Sequence, residues 1–118
     1  MKIQSEKGFI NISNEIIAAI SGYAATNCFG VKGMAHTNIT NGIVHLLKKE
    51  YMTKGVKVES LEDGIKIHLN IIVEHGVNIN TVCRSVMSEV AYVVEQNTGL
   101  NVLGVNISVD SVMQEGNV

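Results

Sequence analysis

Histidine and carboxylate side chains are the residues of this chain that could do metal or acid–base chemistry. The chain has four histidines, which are His36, His45, His68 and His75. A metal site needs three or four ligands that converge on one point, and it often shows short spacings such as H-x-H or H-E-x-x-H. None of these spacings occurs in the sequence. We therefore predict that the histidines are surface residues and that the chain has no metal site.

An acid–base site could in principle be built from His68, Glu74 and Asp110. Such a site requires groups that are held together and tuned by their surroundings, and nothing in the sequence brings these three positions together. We therefore predict no catalytic residues, no cofactor and no small-molecule substrate. A cryptic metal or acid–base enzyme that uses these three residues is the least favoured alternative.

A short glycine motif is the second feature with possible chemistry. Gly30, Val31, Lys32 and Gly33 form the pattern G-x-x-G, which clamps the RNA backbone in the KH module. The chain has a net charge of −2, whereas nucleic-acid binders usually carry a basic excess. We therefore interpret the two glycines as the end of a helix followed by a turn. RNA binding by this loop stays as an alternative function.

The two cysteines and the first residues bear on the cellular compartment. Cys28 and Cys83 are 55 positions apart, and no C-x-x-C motif occurs. We expect free thiols that serve as small core residues in a reducing cytosol. Residues 1–7 are polar, and no apolar run is long enough for a signal peptide or a membrane span. The expected location is therefore cytoplasmic.

The composition indicates one folded domain. The chain has 118 residues, of which 46% are hydrophobic and 17% are charged, and these proportions exclude an intrinsically disordered chain. We predict a single domain over residues 1–118, with an ordered core at about 8–112. The charged fraction is below the ~25% of typical soluble domains, so we expect part of the surface to be covered by a protein partner or by a second copy of the chain.

Hydrophobic periodicity predicts an α+β fold of two layers with the element order β-α-α-β-β-α-β. The predicted sheet is mostly antiparallel, with the helices on one face. The predicted elements are a strand at Gly8–Ile12, a helix with an apolar stripe from Ile16 to Cys28, a helix marked by Ile43 to Tyr51, strands at Val56–Leu61 and Ile65–Val73, a helix with a stripe from Ile79 to Val94, and a strand at Leu103–Val109.

The other face of the predicted sheet is polar but only lightly charged, with one apolar residue that we expect to be exposed. Surfaces of this kind suit contact with protein, although a plain solvated face explains the same pattern equally well. The predicted partner-binding residues are Lys66, His68, Asn70, Ile72, Asn106 and Ser108.

Several segments in this order resemble one known family, the alkaline shock proteins (Gls-type) of Gram-positive bacteria. The similar segments are G-F-I-N-I-S-N-E-I-I at 8–17, G-V-K-G-M-A at 30–35, G-V-K-V-E at 55–59, I-I-V-E-H-G-V-N-I at 71–79, T-G-L at 98–100 and V-N-I-S-V at 105–109. The stretch between Gly33 and Gly55 is similar to the small stand-alone subgroup. The sequence departs from the family pattern at His75, Asn80 and Met87.

The resemblance implies a non-enzymatic protein of the envelope stress response. It also implies self-association or docking on a partner, with indirect recruitment to the inner face of the cell membrane. It supplies no catalytic residue and no molecular mechanism.

Overall fold

The computed structural model describes residues 1–38, 43–46 and 54–113, and for residues 36–38 and 43–46 it describes the backbone only. Two helices and seven strands make up the described part of the chain. In chain order they are β1 (Lys2–Ser5), β2 (Gly8–Asn11), α1 (Asn14–Thr26), β3 (Val31–Asn38), β4 (Ile43–Leu46), β5 (Val56–Leu61), β6 (Gly64–Glu74), α2 (Ile79–Thr98) and β7 (Val102–Met113).

Strand β6 is the centre of a five-stranded sheet. β7 runs parallel to it along its whole length, from the Ile65–Val102 pair to the Glu74–Met113 pair. The other edge of β6 is shared by two antiparallel strands: β5 pairs with residues 64–69, and β3 pairs with residues 71–73. β3 continues past β6 and pairs with β4. This arrangement confirms the predicted α+β fold and its mostly antiparallel sheet.

The hydrophobic core lies between one face of β6 and the two helices. The odd-numbered residues Ile65–Val73 of β6 are at most 1% exposed, and they pack against a row of fully or nearly fully buried valines on α2. That row consists of Val82, Val86, Val90 and Val94. The spacing of four places all of them on one face of a helix, so packing against the sheet overrides their low helix propensity. Both helices cover the same face of the sheet, as the periodicity predicted.

The helix ends follow the expected capping chemistry. Ser13 caps α1 by accepting a hydrogen bond from the Ile16 amide, and Asn78 caps α2 by accepting one from the Thr81 amide. Gly99 ends α2 in the left-handed conformation, which glycine adopts without a steric penalty. β7 then begins where the Glu95 carboxylate accepts a hydrogen bond from the Val102 amide.

The predicted helix from Ile43 to Tyr51 is wrong in its described part, because Ile43–Leu46 is the strand β4. Its remaining residues, 47–51, lie outside the described residues. Ile43 and Val44 are β-branched and therefore favour strands, and β4 pairs in register with Asn38–Ala35 of β3. Hydrogen bonding to a neighbouring strand therefore outweighed the helical spacing of the apolar residues.

The N-terminal residues are more ordered than their polar composition predicted. Lys2–Ser5 pairs with Gly8–Asn11 as a two-stranded antiparallel hairpin. The Lys2 ammonium group lies 4.5 Å from the centre of the Phe9 ring, a cation–π contact. On the other face of the hairpin, Ile3 packs against the core. This apolar contact fixes the hairpin to the domain.

Candidate functional site

The face of the sheet that the helices leave uncovered carries most of the predicted partner-binding residues. Lys66, Asn106 and Ser108 are exposed, and His68 and Asn70 are half-buried. The parallel register of β6 and β7 sets His68 beside Asn106 and Asn70 beside Ser108. The structure therefore brings these five residues together on one surface, which we call the open face.

The open face is organised around His68. Its Nε2 atom lies 3.2 Å from Oε1 of Glu59 on β5, and its Nδ1 atom lies 3.2 Å from Nδ2 of Asn106 on β7. A neutral imidazole with its proton on Nε2 satisfies both contacts, since Nε2–H donates to the carboxylate and Nδ1 accepts from the amide. One side chain thus links three strands across the open face.

Glu59 is a residue of this network that the sequence analysis missed. A two-residue turn at Glu62–Asp63 joins β5 to β6, and in the resulting register Lys57 pairs with His68 and Glu59 pairs with Lys66. Glu59 is therefore diagonal to His68 and within reach of its ring. The sequence predicted strands at Val56–Leu61 and Ile65–Val73 but not the register between them, and the contact of Glu59 with His68 depends on that register.

Ile72 corrects the prediction of an exposed apolar residue on the open face, because it is only 1% exposed. It pairs with Gly33 of β3 on one side and with Ser111 of β7 on the other. Gly33 and Ala35 of β3 are buried as well. Ile72 therefore contributes to packing at the end of β6 that pairs with β3. The exposed part of the open face lies at the other end of β6, which pairs with β5.

The residues of the alternative acid–base site are separated by the fold. His68 and Glu74 are six residues apart on one strand, which corresponds to about 20 Å. Asp110 lies at the β7 bulge between the pairs Ile71–Val109 and Ile72–Ser111, where its Oδ1 accepts a 2.8 Å hydrogen bond from Ser108 Oγ. Within the described ranges, no three His, Cys, Asp or Glu residues are grouped as metal ligands would be.

The glycine motif does not form the loop between two helices that the RNA-binding alternative required. Helix α1 ends at Thr26, and Val31, Lys32 and Gly33 belong to strand β3. Gly30 has a φ of +86°, and a Cβ atom there would lie 2.7 Å from Cγ2 of Val82. The glycine is therefore required by the close approach of the chain to α2, and its role is packing.

The two cysteines are free thiols, as predicted, and both are partly buried. Burial raises the pKa of both thiols, and the nearby Glu89 carboxylate raises the pKa of Cys28 further. Cys28 Sγ also lies within hydrogen-bond distance of the Ala24 carbonyl oxygen. A raised pKa lowers the thiolate fraction, and the thiolate is the reactive form. The raised pKa values therefore disfavour the reactive thiolate of both cysteines near neutral pH.

Comparison with known families identifies the chain. A family profile for alkaline shock proteins, described as having a cell envelope-related function, matches residues 2–114. The chain belongs to this family. Its function is thus cell envelope-related, and the resemblance of the short segments is confirmed over almost the whole chain. In the described part of the chain, no helix is both long enough and apolar enough to cross a membrane.

Curated relatives of similar length support the assignment. The chain is 41% identical to the uncharacterized protein YloU of Bacillus subtilis over 113 residues, which cover 95% of this chain and 94% of the relative. It is 34% identical to the uncharacterized protein Spy1614 of Streptococcus pyogenes over 98% of this chain and 97% of the relative. No solved structure matches the chain significantly.

The burial of Ile72 gives a first prediction. Ile72→Ala should lower the free energy of unfolding by about 2–5 kcal/mol, the usual cost of removing a buried isoleucine side chain. Ile79→Ala is the matched control, because Ile79 is 43% exposed, and it should cost much less. Urea denaturation monitored by circular dichroism measures both. Equal, small losses for the two variants would contradict the assignment of Ile72 to the interior.

The raised thiol pKa values give a second prediction. Alkylation of Cys28 and Cys83 by iodoacetamide, followed site by site with mass spectrometry, should be slower at pH 7–8 than alkylation of a free cysteine. The rise in rate should be displaced to higher pH, because the thiolate forms only as the pH approaches the raised pKa. Glu89→Gln should speed the reaction of Cys28 and leave Cys83 unchanged. Reaction of either thiol as fast as free cysteine would refute the prediction.

Proposed function

We propose that this chain is a non-enzymatic binding module of the envelope stress response, and that its open face docks on a protein partner. The observation that supports this proposal most directly is the Glu59–His68–Asn106 network on the face that carries no helix. The network lies in an exposed region, with the side chains of His68 and Glu59 35% and 49% exposed. It therefore offers preformed polar groups to a binding partner.

The charges on the open face favour a protein over a uniformly charged ligand. Lys57, Glu59 and Lys66 are exposed on neighbouring strands, and the Glu59–Lys66 and Lys57–His68 pairs lie next to each other in the register. Positive, negative and neutral polar groups thus alternate over a short distance. A protein surface can offer the complementary pattern, with hydrogen bonds and local charge pairs that fix its orientation.

The position of these groups on strands lowers the cost of binding. The network lies on β5, β6 and β7, and β5 and β7 both pair with β6 at the positions that bear it. The hydrogen bonds of His68 hold its ring in place before a partner arrives. Groups that are ordered in the free protein lose less entropy when they bind, so even a small surface can be specific.

The proposed location of the protein in the cell follows from the family resemblance. The chain would act in the cytoplasm and would reach the inner face of the membrane through its partner, as the family resemblance implies. In this proposal the partner provides the contact with lipid, and the open face provides the contact with the partner.

Site-specific photo-crosslinking in living cells tests the proposal. A photoreactive amino acid at position 66 should give a covalent adduct with a distinct protein in the membrane fraction. The same amino acid at Gln96, an exposed residue on α2, is the matched control and should not give that adduct. His68→Ala should reduce the adduct at position 66 severalfold while the fold is preserved, because the variant removes the contacts to Glu59 and Asn106.

Two results would overturn the proposal. One is the absence of any protein adduct at position 66 when the variant is folded and expressed at a normal level. The other is the same adduct, in the same yield, at positions 66 and 96, since this would show contact without a preferred face.

A further inference from the structure

Strand β7 has one paired edge in the described part of the chain. Its twelve residues pair only with β6 among residues 1–38, 43–46 and 54–113. It lacks proline and lysine, and Asp110 is its one charged residue. Natural edge strands usually carry such residues, because they prevent pairing with other chains. β7 is protected mainly by two irregularities in its register with β6, near Leu103 and near Asp110.

The regular segment between these irregularities is nearly self-complementary. It contains Val105, Asn106, Ile107, Ser108 and Val109. If two copies pair antiparallel about Ile107, then Ile107 faces Ile107 of the second copy, Asn106 faces Ser108, and Val105 faces Val109. The sheet alternation then sets apolar pairs on the helix side and hydrogen-bonding pairs on the open-face side. The same alignment sets Asp110 opposite Gly104, so no like charges meet.

The residues around this edge are suited to further burial. Ile107 and Val109 are only partly buried, although they pack against the core. On α2, Met87, Ala91 and Glu95 follow at intervals of four and so form one row, and Glu95 contacts the start of β7. Met87 on this row is 39% exposed. Pairing of two β7 strands would therefore extend the apolar layer under the helices as well as the sheet.

We propose that β7 pairs antiparallel with β7 of a second copy about a two-fold axis at Ile107, which joins two sheets into one of ten strands. This inference rests on the proposed function, in which the chain acts by binding protein, and it names a second copy as one partner. The dimer leaves the open face of both copies on the same side, because a continuous sheet has one face without helices. The pair would then present two docking surfaces side by side.

Disulfide trapping in purified protein tests the register directly. In a background with Cys28→Ala and Cys83→Ala, Ile107→Cys sets two thiols opposite each other at the axis, within the ~5 Å Cβ separation of directly opposed residues. Mild oxidation should crosslink this variant at least about tenfold faster than Leu103→Cys, because pairing raises the effective thiol concentration. Leu103 is exposed on the same strand, but in this register it is far from its counterpart in the second copy.

Analytical ultracentrifugation of the unmodified chain gives a second measurement that needs no substitution. It should show a reversible monomer–dimer equilibrium. A chain that stays monomeric at millimolar concentration, or equal crosslinking rates at positions 103 and 107, would overturn the inference. The photo-adduct at position 66 is measured separately. If that adduct forms and the chain is monomeric, only the dimer is refuted, and if both fail, the binding function is refuted as well.

Discussion

The structure depends on the pairing of β6 with three other strands. β7 takes one edge of β6 over its full length, and β5 and β3 divide the other edge between them. A strand in this position must satisfy its backbone hydrogen bonds on both sides and bury a continuous row of side chains. Ile65, Ile67, Leu69, Ile71 and Val73 provide that row, and burial of each is worth about 1.5–3 kcal/mol.

This constraint also determines which surfaces stay available. Because α1 and α2 both cover the odd-numbered side of β6, the even-numbered side remains the open face. At the end of β6 that pairs with β5, the side chains of this face are polar, and His68 contacts Glu59 and Asn106. At the end that pairs with β3, Ile72 is buried. The family provides the cell envelope-related role, and our proposals assign the docking of a protein partner to the open face and the pairing of two copies to the edge of β7.

The sequence predicted best those parts of the fold that local patterns determine. The alternation in β6 and the apolar row of α2 depend on near neighbours in the chain, and both are confirmed. The strand β4 was missed because its conformation depends on pairing with β3, a contact that no local pattern shows. The packing role of Gly30 also depends on a distant contact. A Cβ atom at this position would clash with Val82, which is 52 positions away in the sequence.

The candidate site shows the same division between local and distant contacts. The polar alternation correctly placed His68, Asn106 and Ser108 on one face, but it could not show that Ile72 on the same strand as His68 is buried. Ile72 pairs with Gly33 of β3 and with Ser111 of β7, and both neighbours are distant from it in sequence. Glu59 was missed because its contact with His68 depends on the register of the β5–β6 hairpin.

Amide hydrogen exchange, followed by nuclear magnetic resonance at low and high protein concentration, tests this account most directly. The β6 amides should be the slowest to exchange at both concentrations, because both edges of that strand are paired. In residues 104–109, alternate amides should exchange quickly in dilute solution and become protected as the concentration rises. Rapid exchange in β6, or full protection of residues 104–109 in dilute monomer, would contradict an account in which β6 organises the sheet and β7 has an edge open to a second copy.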